Sequence, residues 1–344
     1  MHPPLRPAAV APAIRSASFR PAAARRLPPL LALLVAFLSP LLAMAAQPAA
    51  PAAPAASATP APPIRAVVTI PPLKGILEPL LPEGSTVTVL MPPGRSEHGY
   101  EFTPKDLAAV ARADLVFYVG LALEPRVEQT LAKDPRPTRQ VVCFADAVGI
   151  KADAAHEHHD HDHDEHCDHG PVDQHLWLDP VLVAQVVPAL ATSVRAAAER
   201  AAPLSPAARN DLASREASLV ARVRAVDDAW RIRLAPFQGR PIVTHHNAFP
   251  RPAARYGLRV AAVIRGFENA EPTPARLAEV VQAIRAERVR AIFAEPQFNQ
   301  STARRIAQAA GVSVATLDPL GDGDWFQLMG SNLDALAANL AAKN

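Results

Sequence analysis

Histidines and carboxylates are concentrated in one short stretch of this sequence. Seven histidines lie within fourteen residues, interleaved with aspartate and glutamate. Imidazole and carboxylate together are the ligands that borderline divalent metals prefer, and short His-rich tracts are a metal-binding composition. The alternative is a solvated acidic tract whose histidines are incidental. We favour metal binding for the loop 155–170, whose candidate ligands are His156, His158, His159, His161, His163, His166 and His169.

A second set of candidate ligands is spread along the chain. His98, His175, the pair His245–His246 and Asp318 each follow the C-terminal end of a predicted strand. In open parallel sheets, ligands bind beyond the carboxyl ends of the strands. Two facing lobes would bring these positions into one cleft, where three imidazoles and one carboxylate form a four-coordinate shell suited to Zn²⁺.

Each of these positions also has an ordinary structural explanation. His98 lies in a loop rich in Gly and Pro, where a histidine is usually exposed and inert. His175 stands close to Trp177 and could be a core histidine, while Asp318 precedes Pro319 as a turn-forming residue does. Their common placement at strand ends favours the metal site over these separate explanations.

The elements that must position these residues alternate between strand and helix. Four strand-like apolar segments precede a long helix predicted from Pro206 to about Arg233, and four follow it. We therefore predict an α/β fold of two lobes, each with a four-stranded parallel sheet and flanking helices, joined by one long rigid helix. The predicted organisation is a signal peptide at 1–46, a Pro/Ala linker at 47–63, an N-terminal lobe at 64–204, the connecting helix at 205–235 and a C-terminal lobe at 236–344.

The N-terminal region resembles a secretory signal. The basic pair Arg25-Arg26 precedes the apolar run Leu30–Leu38, and Ala43-Met44-Ala45 offers a cleavage pattern. The apolar run is well short of the ~20 residues that a membrane span needs. A twin-arginine signal and a later start codon are alternatives. No cysteine lies near the cleavage point, so the sequence does not support lipidation there. We expect export across the membrane.

Charge excludes one class of partner. The signal region holds five arginines and no acidic residue; without these arginines the chain has 30 Lys+Arg against 33 Asp+Glu, a net charge of −3. A slightly acidic mature protein has no electrostatic attraction for nucleic acid, so we expect no such partner.

Two cysteines leave two interpretations open. An exported protein permits a disulfide between Cys143 and Cys167. Alternatively, Cys143 is a small buried hydrophobic residue and Cys167 is a soft metal ligand in the tract.

Five segments carry a resemblance to a known family. The chain resembles the zinc-uptake branch of the metal-binding solute-binding proteins of bacterial ABC importers (cluster A-I, Znu-type). The resemblance assigns His98, His175, His246 and Asp318 as ligands, prefers His246 to His245, and keeps Glu97 as a reserve ligand. Glu97 and His245 are therefore further candidates. The segments are Pro92–Pro104, Asp173–Pro180, His246–Phe249, Glu295–Phe298 and Thr316–Leu320.

The resemblance implies a monomeric, non-enzymatic protein that captures Zn²⁺ in the periplasm and delivers it to an ABC transporter permease. Asn247 stands where the family usually has Asp, which bears on the orientation of His246. The alternatives are a binder of manganese or another divalent metal, a zinc hydrolase built on the H-x-H-x-D-H pattern at His156–His161, and a storage or adhesion protein without a transporter.

Overall fold

The first half of the chain forms a parallel sheet of four short strands. The coordinates come from a computed structural model that describes residues 59–151, 173–265 and 272–341. The strand order is β2-β1-β3-β4, and every pairing is parallel. The two central strands are largely buried, as the continuous apolar runs predict. The strands are β1 (Arg65–Val68), β2 (Thr86–Val89), β3 (Leu115–Tyr118) and β4 (Gln140–Cys143).

Five helices connect and cover this sheet. Several begin at a proline, whose missing N–H and fixed φ suit the first helical position. Thr103 caps α2 in a reciprocal capping box with Asp106, and Asp179 caps α5 by accepting a hydrogen bond from the Val181 backbone N–H. The helices are α1 (Pro71–Leu77), α2 (Pro104–Arg112), α3 (Pro125–Lys133), α4 (Phe144–Ala147) and α5 (Pro180–Ala201).

A single long helix, α6 (Pro206–Leu234), follows α5. Its 29 residues span about 44 Å at 1.5 Å per residue. Ser205 Oγ accepts a hydrogen bond from the Ala208 N–H and begins the helix, while the buried Leu219 and Trp230 pack it against the rest of the protein. The predicted connecting helix is thus present.

The second half repeats the architecture of the first. Its strands are ordered β6-β5-β7-β8 and all pair in parallel, so the two-lobed α/β fold predicted from the sequence is confirmed. The strands are β5 (Pro241–Thr244), β6 (Arg259–Val263), β7 (Ala291–Ala294) and β8 (Ser313–Thr316). The helices are α7 (Pro250–Arg255), α8 (Pro274–Glu287), α9 (Ser301–Ala310) and α10 (Trp325–Ala341).

The two halves share one hydrophobic core. A continuous cluster of buried side chains includes residues of α1, α5, α6 and α10 and of both sheets. Two buried indoles join the halves by hydrogen bonds: Trp177 Nε1 donates to the Pro319 carbonyl at 2.6 Å, and Trp325 Nε1 donates to the Trp177 carbonyl at 2.7 Å. The halves are therefore held together by packing as well as by the long helix.

Helix α5 is long and apolar enough to cross a membrane by length and composition, alone among the helices of the described ranges. Ten of its side chains are buried within the fold, and it packs on α6 and β4. A core helix passes the same length and composition test, so this property by itself does not place α5 in a membrane.

The structure differs from the sequence expectations mainly at the ends of elements. The short helix α4 (Phe144–Ala147) was not among the predicted elements. Residues of the predicted linker also contact the fold: Ala61 is buried, and Ser205 Oγ donates to the Thr59 carbonyl.

Candidate metal centre

Loops that follow strands place four potential ligands at one point between the two sheets. Glu97 and His98 lie in the loop between β2 and α2. His175 precedes a short 3₁₀ turn that leads into α5, and His246 is the second residue after β5. As expected, these positions lie beyond the carboxyl ends of parallel strands.

The ligand atoms of these four residues all lie within 4.8 Å of one another. His175 Nε2 lies 3.3 Å from His98 Nε2 and 3.1 Å from His246 Nε2. Glu97 Oε1 lies 3.0 Å from His175 Nε2, 3.7 Å from His246 Nε2 and 4.0 Å from His98 Nε2. A tetrahedral ion with bonds of about 2.0–2.1 Å needs ligand atoms about 3.3–3.4 Å apart, so the group has the dimensions of a zinc shell.

Glu97 is a buried carboxylate surrounded by imidazoles. Its residue exposure is 4%. Burial by itself would raise its pKa, but the hydrogen bond with His175 and the charges of the three histidines outweigh burial and lower the pKa to about 2. The carboxylate is thus ionised and ready to accept a cation.

His175 is oriented by a carboxylate two residues before it. Asp173 Oδ1 accepts hydrogen bonds from the backbone N–H of His175 at 3.0 Å and from its Nδ1 at 2.9 Å. Burial would lower the pKa of His175, but the bonds to Asp173 and Glu97 raise it to about 9. With Nδ1 engaged in this way, Nε2 is the nitrogen that faces the other ligands.

His246 has an equivalent partner in the second half. Glu295, the first residue after β7, places Oε1 2.5 Å from His246 Nδ1 and also accepts from the His246 backbone N–H at 3.3 Å. Burial raises the pKa of Glu295, and the contact with His246 partly offsets that rise. This contact orients the His246 ring even though Asn247 replaces the usual Asp.

His98 is the most exposed member, since a quarter of its side chain reaches solvent. Burial of the remainder lowers its pKa to about 4, despite the opposing charge of Glu97. Its imidazole is therefore neutral near pH 7, which is the form that binds a metal.

Asp173 and Glu295 were not predicted as orienting residues. The sequence did contain a signal for both, since metal-binding histidines commonly donate their second ring N–H to a carboxylate. Asp173 stands two residues before a candidate ligand, and Glu295 directly follows a predicted strand.

Gln174 connects the segment that carries His175 to the loop after β3. Its Nε2 donates to the carbonyl of Leu121 at 2.6 Å.

Asp318 was expected to complete the shell, and the structure does not place it in the group of four. Its Oδ1 accepts hydrogen bonds from Gln297 Nε2 at 2.6 Å and from the backbone N–H groups of Leu320 and Gly321. These bonds are those of a turn-forming aspartate, the alternative role recognised in the sequence. Glu97, the reserve ligand, occupies the fourth place instead.

His245 does not join the group either. It is buried, and its ring stacks on Phe298 with 9° between the planes and 4.9 Å between centroids. Burial, the charge of Arg265 and that of His246 lower its pKa to about 4. His245 therefore packs as a neutral aromatic ring beside its neighbour.

The His-rich loop 155–170, including Cys167, lies outside the described residues. Cys143 is half-buried at the end of β4, and burial raises the pKa of its thiol to about 11. A protonated thiol of this kind agrees with the interpretation of Cys143 as a small apolar residue.

Comparison with known families decides the relationship of this chain. The family described as "Zinc-uptake complex component A periplasmic" matches residues 66–339. The chain belongs to this family. The match includes Glu97, His98, His175 and His246, so the whole candidate centre lies within the part that the zinc-uptake family defines.

Similar proteins have names that refer to zinc binding or zinc uptake. The "Zinc-binding lipoprotein AdcA" of Streptococcus pneumoniae (strain TIGR4) is 26% identical over 264 residues, which cover 75% of this chain and 50% of the relative. The chain thus spans about half the length of the AdcA relatives it matches. The "High-affinity zinc uptake system protein ZnuA" of Yersinia pestis is 26% identical over 274 residues, covering 75% of this chain and 84% of that protein.

Solved structures show the same fold. A crystal structure of ZnuA has a TM-score of 0.65 at 24% identity and covers 81% of this chain and 100% of that one. The "periplasmic zinc binding protein TroA" of Treponema pallidum has a TM-score of 0.65 at 21% identity and covers 82% and 100% of the two chains.

Proposed function

We propose that this protein captures Zn²⁺ in the periplasm with Glu97, His98, His175 and His246 and delivers it to the membrane permease of an ABC importer. The observation that carries the proposal is the convergence of three imidazole nitrogens and one carboxylate oxygen, all within 4.8 Å of one another. Membership of the zinc-uptake family supports transport as the purpose of that binding.

The donor set favours zinc over harder divalent ions. Three nitrogen donors and one oxygen donor suit Zn²⁺, whereas Mg²⁺, Ca²⁺ and Mn²⁺ prefer sites richer in oxygen. Intrinsic affinity would favour Cu²⁺, so metal availability also contributes to selectivity. Manganese is the second candidate cargo, and it requires a harder shell than this group supplies.

The proposed centre is suited to holding an ion rather than to catalysis. Catalytic zinc sites keep three protein ligands and one open position for water. Here four protein donors surround one point, and three of the four residues are almost fully buried. The hydrolase alternative relied on the pattern at His156–His161, which lies outside the described residues.

The remaining expectations complete the proposal. We propose export by the N-terminal signal, action as a monomer, and no role for nucleic acid. The domain boundaries remain predictions from the sequence, and the end of the predicted linker, at Thr59 and Ala61, contacts the fold. The His-rich loop would act as a set of weak sites that raises the local zinc concentration near the centre.

Two adjacent histidines provide a matched test of the binding site. Competition between the protein and a chromophoric chelator should give one tight Zn²⁺ site in wild type. His246→Gln should weaken that site well beyond the about 10–100-fold that outer residues contribute. His245→Gln, at a residue that is buried but outside the group, should keep it. Equal loss in both variants, or in neither, would contradict the proposed site.

Transport needs a cellular measurement. Cells lacking the gene should take up radioactive zinc slowly at low external zinc, and wild-type protein should restore uptake while His246→Gln should not. Normal uptake in the deleted strain would favour a storage or adhesion role.

A further inference from the structure

Helix α7 begins four residues after His246 and carries two arginines one turn apart. Arg251 and Arg255 have an i,i+4 spacing, so they lie on the same face of the helix. Both reach residues of the first half that flank His175, namely Asp173 and Asp179. The element that follows one proposed ligand thus contacts both sides of another.

The ion pair between Arg255 and Asp179 has a structural role. Arg255 Nη2 donates to Asp179 Oδ2 at 2.6 Å, and Oδ1 of the same carboxylate caps α5. The Asp179 side chain is completely buried, so the arginine compensates a charge that has left water. Within the described ranges, no hydrogen bond or ion pair joins Asp179 to a member of the proposed centre.

The ion pair between Arg251 and Asp173 is connected to the proposed metal centre. Arg251 Nε lies 3.4 Å from Asp173 Oδ2, and Arg251 Nη2 donates to the Asp173 backbone carbonyl at 3.4 Å. The 3.4 Å contact between Nε and Oδ2 is an ion pair without hydrogen-bond geometry. Both atoms are buried and have no hydrogen-bond partner among the described residues, so each is the available charge partner of the other.

The second oxygen of Asp173 transmits this contact to His175. Oδ1 accepts from both the backbone N–H and the Nδ1 of His175, while Oδ2 faces Arg251. A carboxylate held at both oxygens cannot rotate freely, and it therefore fixes the ring plane and the protonated nitrogen of the histidine it binds. Removal of Arg251 would leave one edge of that carboxylate buried without a positive neighbour.

We propose that Arg251 is a positioning residue for metal binding: from the segment that carries His246, it orients Asp173 and through it the His175 ring. This proposal rests on the proposed function, since it assigns Arg251 a role at the same centre. It couples ligands from the two halves, because a shift of α7 that moves His246 also loosens the support behind His175.

Arg255 makes the matched control, since it lies on the same helix, crosses the same interface and ends on a carboxylate that does not touch the centre. The variants to compare are Arg251→Met, Arg251→Lys and Arg255→Met. For each, we would measure Zn²⁺ affinity by chelator competition, the absorption spectrum with Co²⁺ as probe, and thermal unfolding of the metal-free protein. We expect Arg251→Met to weaken Zn²⁺ binding by about 10-fold, at the lower end of the effect of outer residues, and to change the Co²⁺ spectrum.

Lysine should restore part of the affinity, since it keeps the charge but lacks the planar fork that reaches both the carboxylate and the carbonyl. Arg255→Met should lower the unfolding temperature, because it leaves the buried Asp179 carboxylate without its arginine. It should leave Zn²⁺ affinity within about 2-fold of wild type, because Asp179 does not contact the proposed ligands. Unchanged affinity in Arg251→Met, or an equal loss in Arg255→Met, would overturn the proposal while the wild-type protein still bound zinc. A wild-type protein without a tight zinc site would overturn the proposed function itself, and the role of Arg251 with it.

Discussion

Glu97 Oε1 lies 3.0 Å from His175 Nε2, and both residues are almost completely buried. In the metal-free protein the contact is an ion pair, because the surrounding hydrogen bonds and charges outweigh burial at both groups, lowering the pKa of Glu97 and raising that of His175. A cation that binds here must take the place of the proton on His175.

Zinc affinity should therefore depend on pH. The pKa of His175 is raised to about 9, so its proton must leave at neutral pH, whereas Glu97, with a pKa of about 2, has no proton to lose. Displacement of one proton predicts that apparent affinity falls about tenfold per pH unit between about pH 8 and pH 6. Chelator competition across this range would measure it, and calorimetry in two buffers of different ionisation enthalpy would count the protons. Affinity that is equal at both ends would show that His175 is not a ligand.

The stability of the metal-free protein should have its own pH dependence. The raised pKa of His175 contributes stability that is complete below about pH 6.5 and is lost as pH rises through about 9. The lowered pKa of Glu97 contributes stability that is present above about pH 4.5 and is lost as pH falls through about 2. In chelator, the urea midpoint should fall between pH 6.5 and 9, and His175→Gln should reduce that fall. An identical fall in the variant would exclude this ion pair as its cause.

The two candidate carboxylates can be separated by amide substitution. Glu97→Gln removes the charge at the centre with little change of shape, so we expect Zn²⁺ affinity to fall by about 100-fold or more. A loss of about 100-fold is the most that substitution of a residue outside the ligand shell usually causes. Asp318→Asn should change affinity by less than about 3-fold, because Oδ1 is held by Gln297 and by turn N–H groups. The opposite order would make Asp318 the ligand and Glu97 a neighbour.

Deletion of residues 155–170 should separate the two kinds of zinc site. Histidines and acids in a tract without apolar side chains offer many weak and exchangeable donor sets. Calorimetry should show that the shortened protein loses the weak sites and keeps one tight site. If the tight site disappears with the tract, the ligands include tract histidines.

Gly75 tests the packing between the halves. A Cβ at this position in α1 would lie 2.4 Å from the backbone nitrogen of Trp325 and 2.8 Å from the carbonyl of Gly323. Gly75→Ala should therefore lower the free energy of unfolding by about 1–3 kcal/mol, as overpacking does. Gly330→Ala is the control, since its Cβ meets nothing within 4 Å and alanine favours a helix interior by about 1 kcal/mol. Urea denaturation would measure both, and equal signs would contradict the interpretation.

Much of the fold was predictable because its signals are local. Thr103-Pro104, Asp179-Pro180 and Ser205-Pro206 mark helix starts through side-chain caps and a proline at the first position, and each does begin a helix. Short segments rich in apolar and β-branched residues likewise marked all eight strands of the described ranges. The core that joins the halves was not predicted, since contacts such as that between Trp177 and Trp325 depend on how finished elements dock.

The site was predictable to the level of its histidines. His98, His175 and His246 converge because residues that follow parallel strands lie at the carboxyl edge of the sheet. Which residues follow a strand can be read from the sequence. The choice between Glu97 and Asp318 depends on local loop geometry, which the strand pattern does not contain. The orienting roles of Asp173 and Glu295 depend on ring positions within a few ångströms, whereas the sequence shows only that one carboxylate lies near a candidate ligand and the other follows a strand.

The packing of α10 on α1 has a consequence for the order of folding. Helix α1 follows the first strand, while α10 is the last helix of the described chain, and Trp325 at its start is completely buried. A growing polypeptide therefore lacks this partner of α1 until all the other elements of the described chain have been made. Long-range contacts of this kind slow folding, and the surface that α1 buries against α10 stays uncovered until the second half has been made.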